Sequence, residues 1–225
     1  MSVPMRYIAV IGDIVDSRKL QNRGEVQKNL KRVLEEVNEK YDGVIASKFM
    51  ITLGDEFQGL LLPDADVMDI IFGVELEMYP VRLRFGVGLG EMWTEIDRDM
   101  PLGADGPAYH RARTAIERIK RQEKANEAVG TNISVMPFDG CDYDVLINTA
   151  LSLCYAIRSK WTARQWEIIR CYAVCGASQA EAAKKLGIAQ SNVSRALINS
   201  GYYTYFDGIF KVGHILRKMG IDQNV

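Results

Sequence analysis

Tyr7-Ile8-Ala9-Val10-Ile11-Gly12-Asp13-Ile14-Val15-Asp16-Ser17-Arg18 is the stretch that decides the fold. Its first half, Tyr7 to Gly12, is short and apolar, the pattern of a buried strand, and Asp13 marks the polar edge where that strand should end. Val26, Leu30, Val33, Leu34, Val37 and Tyr41 then recur at helical spacing with polar residues between them, so a long amphipathic helix follows.

Farther out, Val44 to Leu53 and Phe57 to Leu62 read as strands joined by Gly54-Asp55-Glu56, a connection short enough for a β-hairpin. Pro63-Asp64 opens a helix through Val67, Ile70, Ile71 and Val74. Val81 to Leu89 alternates like a strand, and its glycines allow another backbone or a ligand to come close. A polar loop, 97–106, leads to a helix over 108–121 and a strand over 133–136. The order β-α-β-β-α-β-α-β predicts an α+β palm-like sheet of the ferredoxin and cyclase kind, with helices on one face. Residues 136–144 form the expected linker, and everything beyond Tyr143 reads as helix. The division is therefore an α/β unit over 1–140 and a helical unit over 141–225.

The 225 residues suffice for one large domain or for a medium and a small one. With 48% hydrophobic and 25% charged residues, the balance is that of a soluble globule with a core. No apolar run approaches the ~20 residues of a membrane helix, the N-terminus lacks a signal-peptide layout, and cytoplasm is the expected compartment. Cys171 and Cys175 stand one helical turn apart, but with two histidines in the chain no ligand set is completed, and Cys141, Cys154, Cys171 and Cys175 read as buried free thiols. The net charge of −1 hides an asymmetry. From Lys160 onward nine Lys and Arg face four Asp and Glu, which leaves +5 for that tail and −6 for residues 1–159. Only the tail has the sign that a phosphate backbone attracts.

Within the tail, Ala182, Leu186, Ile188, Val193 and Ala196 fall at the buried positions of a two-helix unit spanning 178–198. Ala183 suits the helix crossing and Gly187 the turn. Ser178-Gln179-Ala180-Glu181 and Thr162-Ala163-Arg164-Gln165 read as capping boxes. The second helix would present Gln190, Ser191, Asn192, Ser194 and Arg195 outward, groups suited to base edges and phosphates. The run resembles the helix-turn-helix of sigma-factor region four. The alternative is a packed three-helix unit that serves assembly only.

Asp13 follows a strand and Asp55 sits at a hairpin tip. Each has a bland reading, as a helix cap and as turn chemistry. Together, on neighbouring strands, they could share a divalent cation. Asp13-Ile14-Val15-Asp16-Ser17 resembles the first metal motif of class III nucleotide cyclases. Leu53-Gly54-Asp55-Glu56-Phe57 is similar to their second acid motif and to the diguanylate cyclase signature. Arg84 to Glu91 and Gly106 to Arg113 follow in the cyclase order, and with the C-terminal pattern the whole chain resembles the SatD family of bacterial proteins. The resemblance implies Asp13 and Asp55 as ligands of Mg or Mn, with the Ile14 carbonyl as a third and Glu56 matching the acid beside the ligand. Arg18, His110, Arg111 and Arg113 are the candidate phosphate contacts.

Three positions depart from the cyclase pattern. Ile51 stands in place of the base-recognising lysine, His110 in place of an asparagine, and Thr114 in place of the transition-state arginine. Losing such a stabiliser costs ~10²–10³ in rate. The expectation is a DNA-binding regulator, acting as a homodimer, whose degenerate cyclase-like domain senses a nucleotide with a divalent cation. The alternatives are a Mg-dependent cyclase or other phosphoryl-transfer enzyme using Asp13 and Asp55, and a non-catalytic assembly module.

Overall fold

The computed structural model describes residues 5–125, 130–138 and 143–221. Its first part follows the expected order: β1 (Tyr7–Ile14), α1 (Arg23–Lys40), β2 (Ile45–Leu53), β3 (Glu56–Leu61), α2 (Val67–Met78), β4 (Leu83–Gly90), α3 (Pro107–Lys124) and β5 (Ile133–Met136). The strands form one sheet in the order β2-β3-β1-β4-β5. β1 is antiparallel to both β3 and β4, whereas β4 and β5 run parallel.

Two features of this region differ from the expectation, each for a physical reason. β1 does not stop at Gly12. Asp13 lies inside the ladder, opposite Glu56 on one side and Arg84 on the other, because both neighbouring strands still offer backbone partners there. And α2 starts at Val67 rather than at Pro63-Asp64, since Asp66 is its N-cap and accepts a hydrogen bond from the Asp69 amide at 3.2 Å.

The helices also cover both faces of the sheet rather than one. Ile8 and Val10 pack into the cluster that holds Leu30, Val33 and Leu34 of α1 and Ile70 and Ile71 of α2. Ala9 and Ile11, on the other side, pack against Ala108, Tyr109, Ala112 and Ile116 of α3. The parallel β4–β5 pair requires a crossover, and α3 supplies it. The glycines of β4 make the close approach feasible. A Cβ on Gly86 would collide with the Ala112 carbonyl oxygen, and one on Gly88 with that of Ala108. They serve helix packing.

All described residues beyond Tyr143 up to the Gly201 bend and on to Ile221 lie in helices or the short turns between them: α4 (Tyr143–Arg158), α5 (Ala163–Val174), α6 (Gln179–Leu186), α7 (Gln190–Asn199) and α8 (Tyr202–Ile221). The core cluster on the α1–α2 face continues into this region through Ile147 and Leu151 of α4, Ile169 of α5 and Tyr205, Ile209 and Leu216 of α8. Glu75, fully enclosed on α2, is bound by Arg158 of α4 at 2.6 Å and by Asn132 at 2.5 Å. Burial pushes its carboxyl up, with Arg158 and Asn132 acting against that. The expected linker over 136–144 and Cys141 fall wholly or partly outside the described residues. Cys154 and Cys171 are buried free thiols and Cys175 is a half-buried one. Among the described residues no helix is long and apolar enough to cross a membrane.

Candidate functional site

Two surfaces hold the residues singled out by sequence. The first is the end of the sheet where β1, β3 and β4 meet. Register places Glu56, Asp13 and Arg84 side by side across three strands, on the face that α3 covers. The last turns of α3 then add cations and acids to the row.

Arg84 Nη1 donates to Asp13 Oδ1 at 3.1 Å, and Lys120 Nζ lies 2.8 Å from Asp13 Oδ2. Arg84 also donates to Glu123 through Nε at 2.8 Å and Nη2 at 2.5 Å. Arg113 grips Glu56 with two bonds, at 2.5 and 2.7 Å. Burial would lower the Arg84 pKa, but Glu123 and Asp13 outweigh it and hold the guanidinium firmly charged. The bond to Glu56 does the same for Arg113.

This arrangement does not fit the expected divalent cation. Both oxygens of Asp13 are already taken by cationic groups, and its side chain is only 9% exposed. A magnesium or manganese ion beside it would be pressed against Lys120 and Arg84. Asp55, one residue before Glu56, is half-buried with no hydrogen-bond or ion-pair partner among the described residues. Among the described residues no group of three or more His, Cys, Asp or Glu is placed to hold a metal. The tethered ammonium of Lys120 takes Asp13 Oδ2, an oxygen that a shared cation would need.

The phosphate candidates do not converge either. Ile14 is in the core and in ladder register with Leu83. Arg18 is exposed on a short 3₁₀ turn, Ser17–Lys19, just past the sheet edge. Its neighbour Asp16, in the left-handed region at φ 54°, pairs with Lys19 at 3.1 Å and Arg82 at 3.5 Å, and Lys19 above all holds its carboxyl below the usual value. His110 and Arg111 belong to the opposite end. His110 Nε2 meets Asp105 Oδ1 at 2.7 Å, and Arg111 Nη1 donates to the Leu89 carbonyl at 2.8 Å. Leu89 is level with Ile8, five residues from Asp13, or ~16 Å along the strand. Of α3, Arg113 alone among the three candidates reaches the acidic row. Arg84, Lys120 and Glu123, which complete that row, are not among the residues that sequence singles out. Their only sequence signal is alternating charge, which needs the strand register before it becomes a contact.

The second surface is built by α5, α6 and α7, which pack on one another. Thr162 and Gln165 form a full capping box at the start of α5. Ser178 caps α6 by accepting from the Glu181 amide at 3.3 Å, without the reciprocal bond. Gly187, at φ 64°, ends α6, and the Ile188 amide donates to the Ala183 carbonyl at 3.0 Å. Ala182 and Val193 are fully buried as expected, while Leu186, Ile188 and Ala196 are half-buried. Leu197, not singled out, is fully buried and anchors the end of α7.

On the outer face Gln190, Ser191, Asn192 and Arg195 are exposed and Ser194 is half-buried. Gln190 Nε2 reaches Gln179 Oε1 at 3.5 Å. Lys160, Lys184, Lys185 and Arg195 have no acidic partner among the described residues, whereas Arg164 is paired with Glu167 at 2.5 Å.

Comparison with known proteins gives a family and distant structural likenesses. No functionally curated protein matches in sequence. Among solved structures the chain is similar to the dimeric guanylyl cyclase domain of a rhodopsin fusion protein from Blastocladiella emersonii, at 14% identity over 51% of this chain and 74% of that one, with a TM-score of 0.38. It is similar to the guanylate cyclase domain from Catenaria anguillulae solved with GTP, at 12% identity over 50% and 72%, TM-score 0.37. A bacterial light-regulated adenylyl cyclase matches at 10% identity over 59% of this chain and 43% of that one, TM-score 0.40. The SatD family model matches residues 7–211, nearly the whole length, and the chain therefore belongs to the SatD family.

Proposed function

We propose that the protein is a DNA-binding regulator and that α6 and α7 are its helix-turn-helix, with α7 as the recognition helix. The observation that carries this reading is the contrast between the two sides of α7. Val193 and Leu197 are fully buried, while Gln190, Ser191, Asn192 and Arg195 are exposed to solvent. Asn and Gln can pair with adenine, Arg with guanine or phosphate, and serine with either. Lys160, Lys184, Lys185 and Arg195 add positive charge that no acid neutralises among the described residues, which is what phosphate contacts require. The partners are thus duplex DNA and, in a homodimer, a second copy that reads a half-site about one turn, ~34 Å, away.

The reading is tested by selecting from random duplexes with the purified protein. A repeated sequence should be enriched, and Asn192→Ala should relax one base position, at a cost of about 1–3 kcal/mol for that position. Recovery of duplexes without sequence preference from wild type and variant alike would reject it.

A further inference from the structure

A cleft of about 440 Å³ lies between the α1–α2 layer and the helical region, lined by Tyr41, Asp69, Phe72, Gly73, Tyr202 and Phe206 among others. Its size is in the ordinary range for small-molecule sites, ~300–1,000 Å³. A second cavity of about 290 Å³ shares Asp69, Phe72 and Phe206 and adds Asp66 and Phe210. Three independent features mark this place as built for an occupant.

The first is Gly73, in the middle of α2. Glycine is a poor helix former, and the β4 glycines are explained by packing. Gly73 is not, because a Cβ there would meet no heavy atom within 4 Å. Its missing side chain leaves open cleft. The second is the facing corner between α5 and α6. Gly176 and Ala177 both adopt φ 61° and both line the cleft. Left-handed backbone is strained for alanine, and this corner shapes the opposite wall.

The third is the distribution of charge over an aromatic lining. Phe206 stacks on Tyr202 at 5.6 Å and meets Phe72 edge-on at 6.1 Å. Glu36 and Glu77 at the rim are answered by Arg32 and Arg170. Asp66 and Asp69 have no Lys or Arg partner among the described residues. Asp69 Oδ2 accepts from the Tyr41 hydroxyl at 2.6 Å, and Asp66 Oδ1 accepts the Asp69 amide. Lys40, the one Lys or Arg in the lining of the larger cavity, donates to the Tyr41 oxygen and sits 4.5 Å from the Tyr41 ring centre.

We propose that this cleft binds a small organic ammonium compound with an apolar body. Its ammonium pairs with Asp69, and its body lies over Gly73 against Phe72 and Phe206. An aromatic lining favours a cation through the negative ring face, and a carboxylate that Lys40 reaches only through the Tyr41 hydroxyl, with no direct ion pair, completes the match. The site is independent of DNA binding, and its test uses no DNA.

Dansylcadaverine, an aromatic ring with a primary ammonium, is titrated into the full-length protein and followed by emission. Dansylglycine, the same ring with a carboxylate, is the control. The cation should bind saturably with blue-shifted emission, and about tenfold or more tighter than the anion. Gly73→Leu fills the cleft and should weaken binding about tenfold, with a melting temperature equal to or above wild type, since leucine is the better helix former. Asp69→Asn should erase the preference for the cation while the fold persists. The proposal is overturned if neither probe saturates, if both bind equally, or if folded Gly73→Leu binds the cation as wild type does.

Discussion

Arg84, Arg113 and Lys120 at the sheet edge and Lys184 and Lys185 of α6 with Arg195 of α7 are the same two residue types in opposite situations. The first three lie within 2.5–3.1 Å of carboxylates, and their charge is spent inside the molecule. The second three have no acidic partner among the described residues and remain available to a phosphate. Composition counts both groups alike. What separates them is whether strand register and helix packing deliver an acid to the cation, and that decides which surface meets an external ion.

The largest effect should come from breaking the paired side. Asp13→Ala leaves Arg84 and Lys120, 13% and 26% exposed, without a shared anion. Removing one partner of a buried pair costs about 3–5 kcal/mol, and partial access of Lys120 to water places this site at the lower end. Urea unfolding measures it, and a loss below about 1 kcal/mol would mean that the row is hydrated and not structural.

Next comes Leu197→Ala, which removes the fully buried anchor of α7 and should cost about 2–5 kcal/mol in the same assay. DNA affinity should fall with it at temperatures where the helix frays. Unchanged stability would show that α7 is not held by its inner face.

Smaller again is the response to metal. Mg²⁺ or Mn²⁺ should leave the wild-type melting temperature where it is, because an ion that does not bind the native state cannot stabilise it. Lys120→Met frees one oxygen of Asp13, which lies opposite Glu56 on the neighbouring strand, and any Mn²⁺-dependent rise should appear in that variant alone. A rise in the wild type would restore the shared-cation site.

These comparisons also locate what could be read from sequence. Element order and type were legible because apolar periodicity in Tyr7 to Gly12, Val26 to Tyr41 and Val81 to Leu89 is local. The Gly187 turn and the Thr162 box were legible for the same reason. The start of α2 is ambiguous in sequence because Asp64 and Asp66 are both good caps, and the structure uses Asp66. The sheet edge was half legible. Asp13 announced itself, but Arg84 and Lys120 stand 71 and 107 residues away, and nothing short of register brings them to it. The placement of α3 on the second face was likewise hidden until β5 paired parallel to β4.

On the proposed function, the unpaired cations of α6 and α7 bind a DNA backbone while the paired cations at the sheet edge do not. Fluorescence anisotropy of a labelled duplex, titrated with protein from about 50 to 200 mM salt, tests it directly. Log affinity should fall linearly with log salt. The triple variant Lys184→Ala, Lys185→Ala, Arg195→Ala should lower that slope by about 0.9 for each phosphate no longer neutralised, and Arg113→Ala should leave it as it is. A slope near zero in the wild type, or one that the triple variant does not change, would contradict the account.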